Sequence, residues 1–339
     1  MGIETSCDDT AAAVFHDGHV LSSVVASQTD HLPYEGVVPE LASRAHVKLI
    51  APVVKKALAD AGLDWDDLDG VAATHAPGLI GSLLVGLTFA KASASARGIP
   101  FVGINHLEAH LLSVLISAPE IQPPLVGLLA SGGHTALARA PTWHHYEILG
   151  STRDDAAGEA FDKTAILLGL GFPGGPAIDR RAREGDPTAI TFPRAWLGDT
   201  LDFSFSGLKT AVRNHVAGLG GLPNLAPGDV NNIAASFQEA VVDVLSQKTL
   251  AAADQAGVGT VILAGGVAAN RNLRNRLAEA CTARGWVFAT PELAYCGDNG
   301  AMVAVAGSMR LALGEQSPWS LAAVPTLTQT SFGSTSTPG

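Results

Sequence analysis

Gly2-Ile3-Glu4-Thr5-Ser6-Cys7-Asp8-Asp9-Thr10-Ala11-Ala12-Ala13 reads as strand, polar turn, strand. The same pattern returns at Gly127-Leu128-Leu129-Ala130-Ser131-Gly132-Gly133-His134-Thr135-Ala136-Leu137-Ala138. With the two laid together, Gly2 falls on Gly127, Ser6 on Ser131, Thr10 on Thr135, Ala11 on Ala136 and Ala13 on Ala138. Five matches in twelve positions, in one structural context, point to an internal duplication, and a duplication sets the whole architecture. Pro123-Pro124 stands just before the second copy, so the halves are expected at 1–123 and 124–297.

Outward from these segments, strands alternate with helices. The apolar stretch 20–27 continues the first sheet. Pro39–Ala61 carries Leu41, Ala45, Leu49 and Val53 on one face at i, i+4 spacing, the mark of an amphipathic helix. Short apolar strands follow at 69–74 and 101–104 with a helix over 82–97 between them, and His106-Leu107-Glu108-Ala109-His110 opens another helix. In the second half, 155–170 reads as a helix, and another begins at Ala177 after the loop Gly171-Phe172-Pro173-Gly174-Gly175-Pro176. A long amphipathic helix covers 231–253, a buried strand 260–263, and a helix starts near Asn270. This alternation predicts a mostly parallel or mixed sheet in each half, covered by helices. The final helix, 298–315, is expected to pack back towards the first half. The stretch 317–339, rich in Ser, Thr and Pro, is expected to be a flexible tail.

The 339 residues suffice for about two domains. A hydrophobic content of 47% and a mean hydropathy of +0.24 support a sizeable core and argue against disorder. No charged segment followed by an apolar one opens the chain, so no signal peptide is expected. The most apolar stretch, 79–96, is broken by Gly81, Ser82, Gly86, Thr88, Lys91 and Ser93 and suits a buried helix better than a membrane span. Three widely spaced cysteines, Cys7, Cys281 and Cys296, suggest no disulfide framework. A reducing, cytoplasmic location is therefore the expectation. The net charge of −11 argues against a generic nucleic-acid binder, which would carry a basic face. Arg180, Arg181 and Arg183, and Arg271, Arg274 and Arg276, are local basic clusters that serve as such a patch or as ordinary solvated helix faces.

Small-residue turns follow apolar strands at 6–9, at Ser131-Gly132-Gly133 and at Gly265-Gly266. Such turns let backbone N–H groups reach phosphate oxygens with no Cβ in the way. One alone is an ordinary tight connection. Three, two of them duplicated, favour a phosphate cleft between two halves, the organisation of the actin, hexokinase and Hsp70 superfamily. No Walker sequence ending in Gly-Lys-Ser/Thr and no GxGxxG at the first strand are present, so the P-loop and Rossmann readings lose.

His106 and His110, at i, i+4, share one helix face. That spacing serves a cation or a structural role about equally often. Glu108 sits one place too late for His-Glu-x-x-His, so the general base of a zinc peptidase is missing. A third ligand has to come from elsewhere, and the Asp298-Asn299-Gly300 turn is best placed. Two histidines and a carboxylate with open positions suit Fe(2+) and Zn(2+) alike. Asp162, in Gly158-Glu159-Ala160-Phe161-Asp162-Lys163-Thr164, and Asp179, after the Gly174-Gly175-Pro176 loop, suit ribose hydroxyls or ordinary caps and ion pairs. Ser206, in Phe203-Ser204-Phe205-Ser206-Gly207-Leu208-Lys209-Thr210, reads as a helix N-cap.

Together with Val37-Val38-Pro39-Glu40-Leu41-Ala42-Ser43-Arg44, Pro77-Gly78-Leu79, the run 264–271 and Asp298-Asn299-Gly300-Ala301-Met302, these motifs resemble the bacterial TsaD family. Its members are the tRNA N6-adenosine threonylcarbamoyltransferases once misnamed glycoproteases. The likeness spans almost everything from Gly2 to about Leu313. It implies an α/β, actin-like ATPase (ASKHA) fold, with two duplicated RNase H-like domains and a ligand cleft between them. It also implies transfer of the threonylcarbamoyl group of threonylcarbamoyl-adenylate to the N6 amine of the adenosine 3′ of the anticodon in tRNAs reading ANN codons.

Carried over position by position, His106, His110 and Asp298 would hold one divalent metal ion, Fe(2+) or Zn(2+). Leu129, Ala130, Ser131, Gly132, Gly133, Asp162, Gly175, Asp179 and Asn270 would hold the adenylate. The cation suits polarisation of the carbamoyl carbonyl, and the glycine turns suit the leaving phosphate. Asp8 and Glu4 are candidates for the proton acceptor. The implied partners are tRNA, the separate synthase that makes the adenylate, a smaller inactive paralogue (TsaB-like) and a P-loop ATPase (TsaE-like). A partner would help complete a tRNA surface on so acidic a chain. The residues usual before Gly2 are absent, which leaves a late start assignment or a short first strand. Against the transferase stand a metallopeptidase, which the position of Glu108 disfavours, and a sugar-kinase-like ATPase or scaffold. The last two would not need paired histidines and phosphate turns together.

Overall fold

The strand–turn–strand at Gly2 and its copy at Gly127 become the centres of two sheets. The structure, a computed structural model, describes residues 1–28, 31 and 36–326. The chain divides into two compact units, Met1–Ile121 with the return from Ala294, and Gln122–Leu293.

In the first unit, β1 (Gly2–Glu4), β2 (Asp9–His16) and β3 (His19–Ser27) form an antiparallel meander. After α1 (Pro39–Ala61), β4 (Val71–Ala76), α2 (Ile80–Arg97) and β5 (Phe101–Asn105) add parallel strands on the other side of β1, giving the order β3-β2-β1-β4-β5. Val53, Val54 and Leu58 of α1 and Leu87 and Ala90 of α2 bury against Ile3 and Val14. Of the expected α1 face only Val53 is buried, while Leu41, Ala45 and Leu49 stand at its margin beside Ala42, His46 and Ile50. Two short helices, α3 (His106–Leu112) and α4 (Val114–Ser117), close the segment.

The second unit repeats the plan. β6 (Leu125–Ala130), β7 (Thr135–Thr142) and β8 (His145–Ser151) are antiparallel. Helices α5 (Ala157–Leu167), α6 (Gly174–Ala182), α7 (Ser206–Gly218) and α8 (Pro227–Ala256) follow. Then come β9 (Thr260–Ala264), α9 (Arg271–Ala283) and β10 (Val287–Ala289). The order is β10-β9-β6-β7-β8, with β9 and β10 parallel. Register confirms the duplication. Gly2, Ile3 and Glu4 face Ala13, Ala12 and Ala11, and the residues aligned with them, Gly127, Leu128 and Leu129, face Ala138, Leu137 and Ala136.

α10 (Gly300–Ala312) returns to the first unit and packs on β1, β2 and β4. Contact there is backbone to backbone: a Cβ on Gly300 would lie 2.5 Å from the Ala12 carbonyl carbon, and one on Gly2 would collide with Ala304. The stretch 317–326, expected as part of a flexible tail, instead packs on the first unit, with Ser317 at the β5 edge and 322–325 at the end of β4 and the turn after it. Ser317 N–H donates to Phe101 O, Val324 N–H to His75 O, and Trp319 stacks on Phe101 at 6.2 Å. Backbone groups at the β5 edge and the end of β4, together with the Phe101 ring, give it partners that composition does not reveal. The remainder of the expected tail, 327–339, lies outside the described residues.

Several local expectations need correction. β8 and β10 were not read as strands, being short and partly polar. α6 begins at Gly174, not Ala177, and α8 runs beyond 231–253 at both ends. Ser206 is not the N-cap of α7 but its first residue. The cap comes from Asp154, which accepts from the N–H groups of Phe205 and Ser206 and from both serine hydroxyls, Ser204 and Ser206. No described helix is long and apolar enough to cross a membrane.

Candidate functional site

Asn105, at the end of β5, accepts through Oδ1 from the N–H groups of Leu107 and Glu108 and so starts α3. This cap places His106 in the first turn and His110 one turn later, both buried, with ring centroids 4.6 Å apart. Asp298 arrives immediately before α10. Its Oδ1 lies 3.0 Å from His110 Nε2 and 3.6 Å from His106 Nε2. One ligand atom from each of the three falls within 4.8 Å of the others, a spacing that can hold a metal ion.

Behind His106 stands Glu4, fully buried. Its Oε2 lies 3.0 Å from His106 Nδ1 and accepts from the Thr74 hydroxyl at 2.6 Å, while Oε1 accepts from the N–H of Ser6. Burial works against a charge on His106, but the Asp298 and Glu4 carboxylates outweigh it and hold the ring at a pKa of about 9. Burial likewise opposes the Glu4 anion, and His106 with the Thr74 hydroxyl keeps its pKa below the usual carboxylate value.

The neighbouring turn is pinned by His46. Its Nε2 lies 2.9 Å from Cys7 O and its Nδ1 2.8 Å from the Thr10 hydroxyl. In that turn, burial pushes the Asp9 carboxyl up to about 6 against a hydrogen bond from Ser27, with Asp298, Asp8 and Glu4 adding to the rise. Burial with Asp8 and Asp298 also pushes the Cys7 thiol up.

The second unit contains a cavity of about 590 Å³. Gly132, Asp162, Gly175, Asp179 and Asn270 line it. Leu129 and Ala130 are buried in β6, and Ser131 and Gly133 flank Gly132 in the turn after it. The glycines divide into two kinds. A Cβ on Gly158 would lie 2.6 Å from Ser131 O, and one on Gly174 would lie 2.5 Å from the Asp162 Cα, so these permit backbone packing. A Cβ on Gly132 or Gly175 would meet nothing within 4 Å. The first turns of α5 and α6 border the cavity through Gly158 and Gly175, and Asn270 caps α9. Helix starts carry N–H groups without intrahelical partners and a positive dipole end, which suits an anion. Asp162 Oδ1 accepts from Gly174 N–H at 2.7 Å, and Asp179 pairs with Arg183. Phe161, Val267 and Leu293 supply apolar wall.

A family profile described as TsaD, tRNA N6-adenosine threonylcarbamoyltransferase, matches residues 19–305. The chain belongs to the TsaD family. Proteins named tRNA N6-adenosine threonylcarbamoyltransferase are similar over nearly the full length. One from Caldicellulosiruptor saccharolyticus is 51% identical, covering 96% of each chain. One from Geobacter sp. (strain M21) is 52% identical, covering 96% of this chain and 95% of the relative. Among solved structures, component A of the Acidaminococcus fermentans (R)-2-hydroxyglutaryl-CoA dehydratase matches at a TM-score of 0.53 and 15% identity, over 90% of this chain and 94% of that one. HypF from T. kodakarensis matches at 0.58 and 16%, over 93% of this chain and 49% of that one. At such identities these establish the fold alone, and it is the expected actin-like ATPase type. As a TsaD-family member, the chain is a tRNA-modifying transferase.

The structure brings His106, His110 and Asp298 together and gathers Gly132, Asp162, Gly175, Asp179 and Asn270 around one cavity. Glu108, the misplaced peptidase base, points elsewhere: Arg310 of α10 donates to it at 2.6 Å in a buried ion pair. Of the basic clusters, Arg276 is committed to Glu239 and Asp243 and Arg274 to the Ala268 and Pro291 carbonyls. Thr74, His46 and Gln238 escaped sequence reasoning. Thr74 is a polar residue inside an apolar run, which is a usable signal, but His46 and Gln238 stand among other polar residues of their helices, and nothing local names a partner for any of the three.

Proposed function

We propose that this TsaD-family chain transfers the threonylcarbamoyl group of threonylcarbamoyl-adenylate to the N6 amine of the adenosine 3′ of the anticodon in tRNAs reading ANN codons. The observation that carries the reading is the convergence of His106, His110 and Asp298 in a chain of this family. In it, those three residues hold a divalent ion, Fe(2+) or Zn(2+), which supplies Lewis acidity for the carbamoyl group. Glu4 keeps the His106 proton on Nδ1 and leaves Nε2 for the cation, as carboxylates behind metal-bound histidines do. The N–H groups around Gly132 and Gly175 cradle the adenylate phosphate and stabilise it as leaving group. Asp162 and Asp179 face the ribose, and Asn270 adds a polar contact.

Glu4 is unsuited to the role of base, because both its oxygens already accept hydrogen bonds. Asp8, a half-buried carboxylate in the same turn, is the candidate left to accept the amine proton. tRNA is the acceptor, and the donor comes from a separate synthase. A TsaB-like paralogue and a TsaE-like P-loop ATPase complete the cytoplasmic machinery. A partner surface also answers the charge of −11, since Arg274 and Arg276 are spent inside the fold.

The test is transfer of labelled threonine to unmodified tRNA with bicarbonate, ATP, the synthase and both partners. Wild type is expected to label the tRNA, and His110→Ala to lose about a hundredfold or more. No label with wild type, in a mixture that a family homologue renders active, defeats the proposal.

A further inference from the structure

Asn270 lines the cavity of the second unit, yet much of its side chain is already engaged behind the wall. Its Oδ1 accepts from the N–H of Leu273 at 3.0 Å. A backbone N–H can only donate, so that bond fixes which end of the amide is oxygen. Its Nδ2 donates one proton to Oε1 of Gln238 at 2.8 Å. Gln238 lies on α8, is buried, and is absent from the cavity lining. Its sequence neighbours brace the same wall. Phe237 meets the lining residue Phe161 edge to face at 5.3 Å, and Glu239 accepts from Arg276 of α9 at 2.6 Å. One turn of α8 thus supports two separate pieces of the cavity without entering it.

We infer that Gln238 is a positioning residue for the ligand of this cavity: it takes one Nδ2 proton of Asn270 and so holds the other as a single directed donor to an acceptor oxygen of a bound nucleotide. The inference rests on the cavity being the adenylate site. A primary amide has one oxygen and two N–H donors. With the oxygen capping α9 and one donor on Gln238, one donor is left for the cavity. The terminal amide torsion is broad and soft when nothing holds it. Removing the Gln238 acceptor frees that torsion, and the orphaned proton then competes for the ligand in another geometry.

Adenosine monophosphate, the nucleotide half of the adenylate, is the probe, titrated calorimetrically into the full chain. Gln238→Met, which keeps length and helix propensity without a strong acceptor, is expected to raise the Kd about tenfold. Gln238→Glu, which restores an oxygen at that place, is expected to return within about threefold of wild type. Ligand-free melting temperatures separate positioning from folding, and Gln238→Leu duplicates the loss should the Met variant fail to fold. Weak binding by Gln238→Met and Gln238→Glu alike, or wild-type binding by Gln238→Met while Asn270→Ala binds weakly, overturns the role of Gln238 and leaves the cavity reading intact. Equal binding by wild type and Asn270→Ala, or none by either, removes the cavity reading and this inference with it.

Discussion

Both oxygens of Glu4 are occupied, by Ser6 N–H on one side and by Thr74 and His106 on the other, and no water need enter. A carboxylate so placed orients a ring; it does not shuttle protons. Because the Asp298 and Glu4 carboxylates hold His106 at a pKa of about 9 against the effect of burial, a cation arriving at neutral pH must displace a proton. Apparent cation affinity is therefore expected to climb as pH rises from 6 and to level off near 9, measured by competition of Zn(2+) with a chelator. Glu4→Gln removes one of the charges that raises this pKa, so its climb should end at lower pH. Its plateau affinity should also fall by about 10- to 100-fold. A wild-type profile in Glu4→Gln would leave Glu4 a packing residue only.

At the level of elements, the returning helix α10 delivers Asp298 because Gly2 and Gly300 let it press directly on β1 and β2. Gly300→Ala places a methyl 2.5 Å from the Ala12 carbonyl carbon and the Ala13 nitrogen, atoms that cannot yield without moving the sheet. It is expected to cost about 1–3 kcal/mol or more in denaturant unfolding and to abolish Zn(2+) binding with it. Gly175→Ala is the contrast. Its methyl meets nothing in the protein and sits in a helix, so the melting temperature should hold or rise slightly while binding of adenosine monophosphate weakens. If both variants lose stability equally, the division between packing glycines and ligand-facing ones fails.

For the molecule as a whole, Ser317 bonds the β5 edge of the first sheet at Phe101 and Gly103, and the segment runs on to His75 at the end of β4. Uncovered edges pair with other chains. A chain ending at 316 is expected to melt lower than one ending at 326 and, unlike it, to self-associate in size-exclusion chromatography with light scattering. Equal behaviour of the two truncations would mean that the segment rides on the edge without protecting it.

Hydrophobic periodicity and the repeated strand–turn–strand were enough to read the α/β class, the duplication and most helices, because those depend on neighbours within a few residues. They also set His106 and His110 on one face, since i, i+4 spacing is local geometry. Side-chain partners are chosen over far longer separations. Glu4 meets His106 across 102 residues and Arg310 meets Glu108 across 202. Asp154 caps a helix that begins 52 residues on, displacing Ser206 from that part. Composition marked 317–326 as loose, yet a free strand edge and the face of Phe101 hold it. Which carboxylate orients, which pairs and which stays available was therefore decided by the tertiary structure alone, because a side chain's charge state and hydrogen bonds belong to its surroundings.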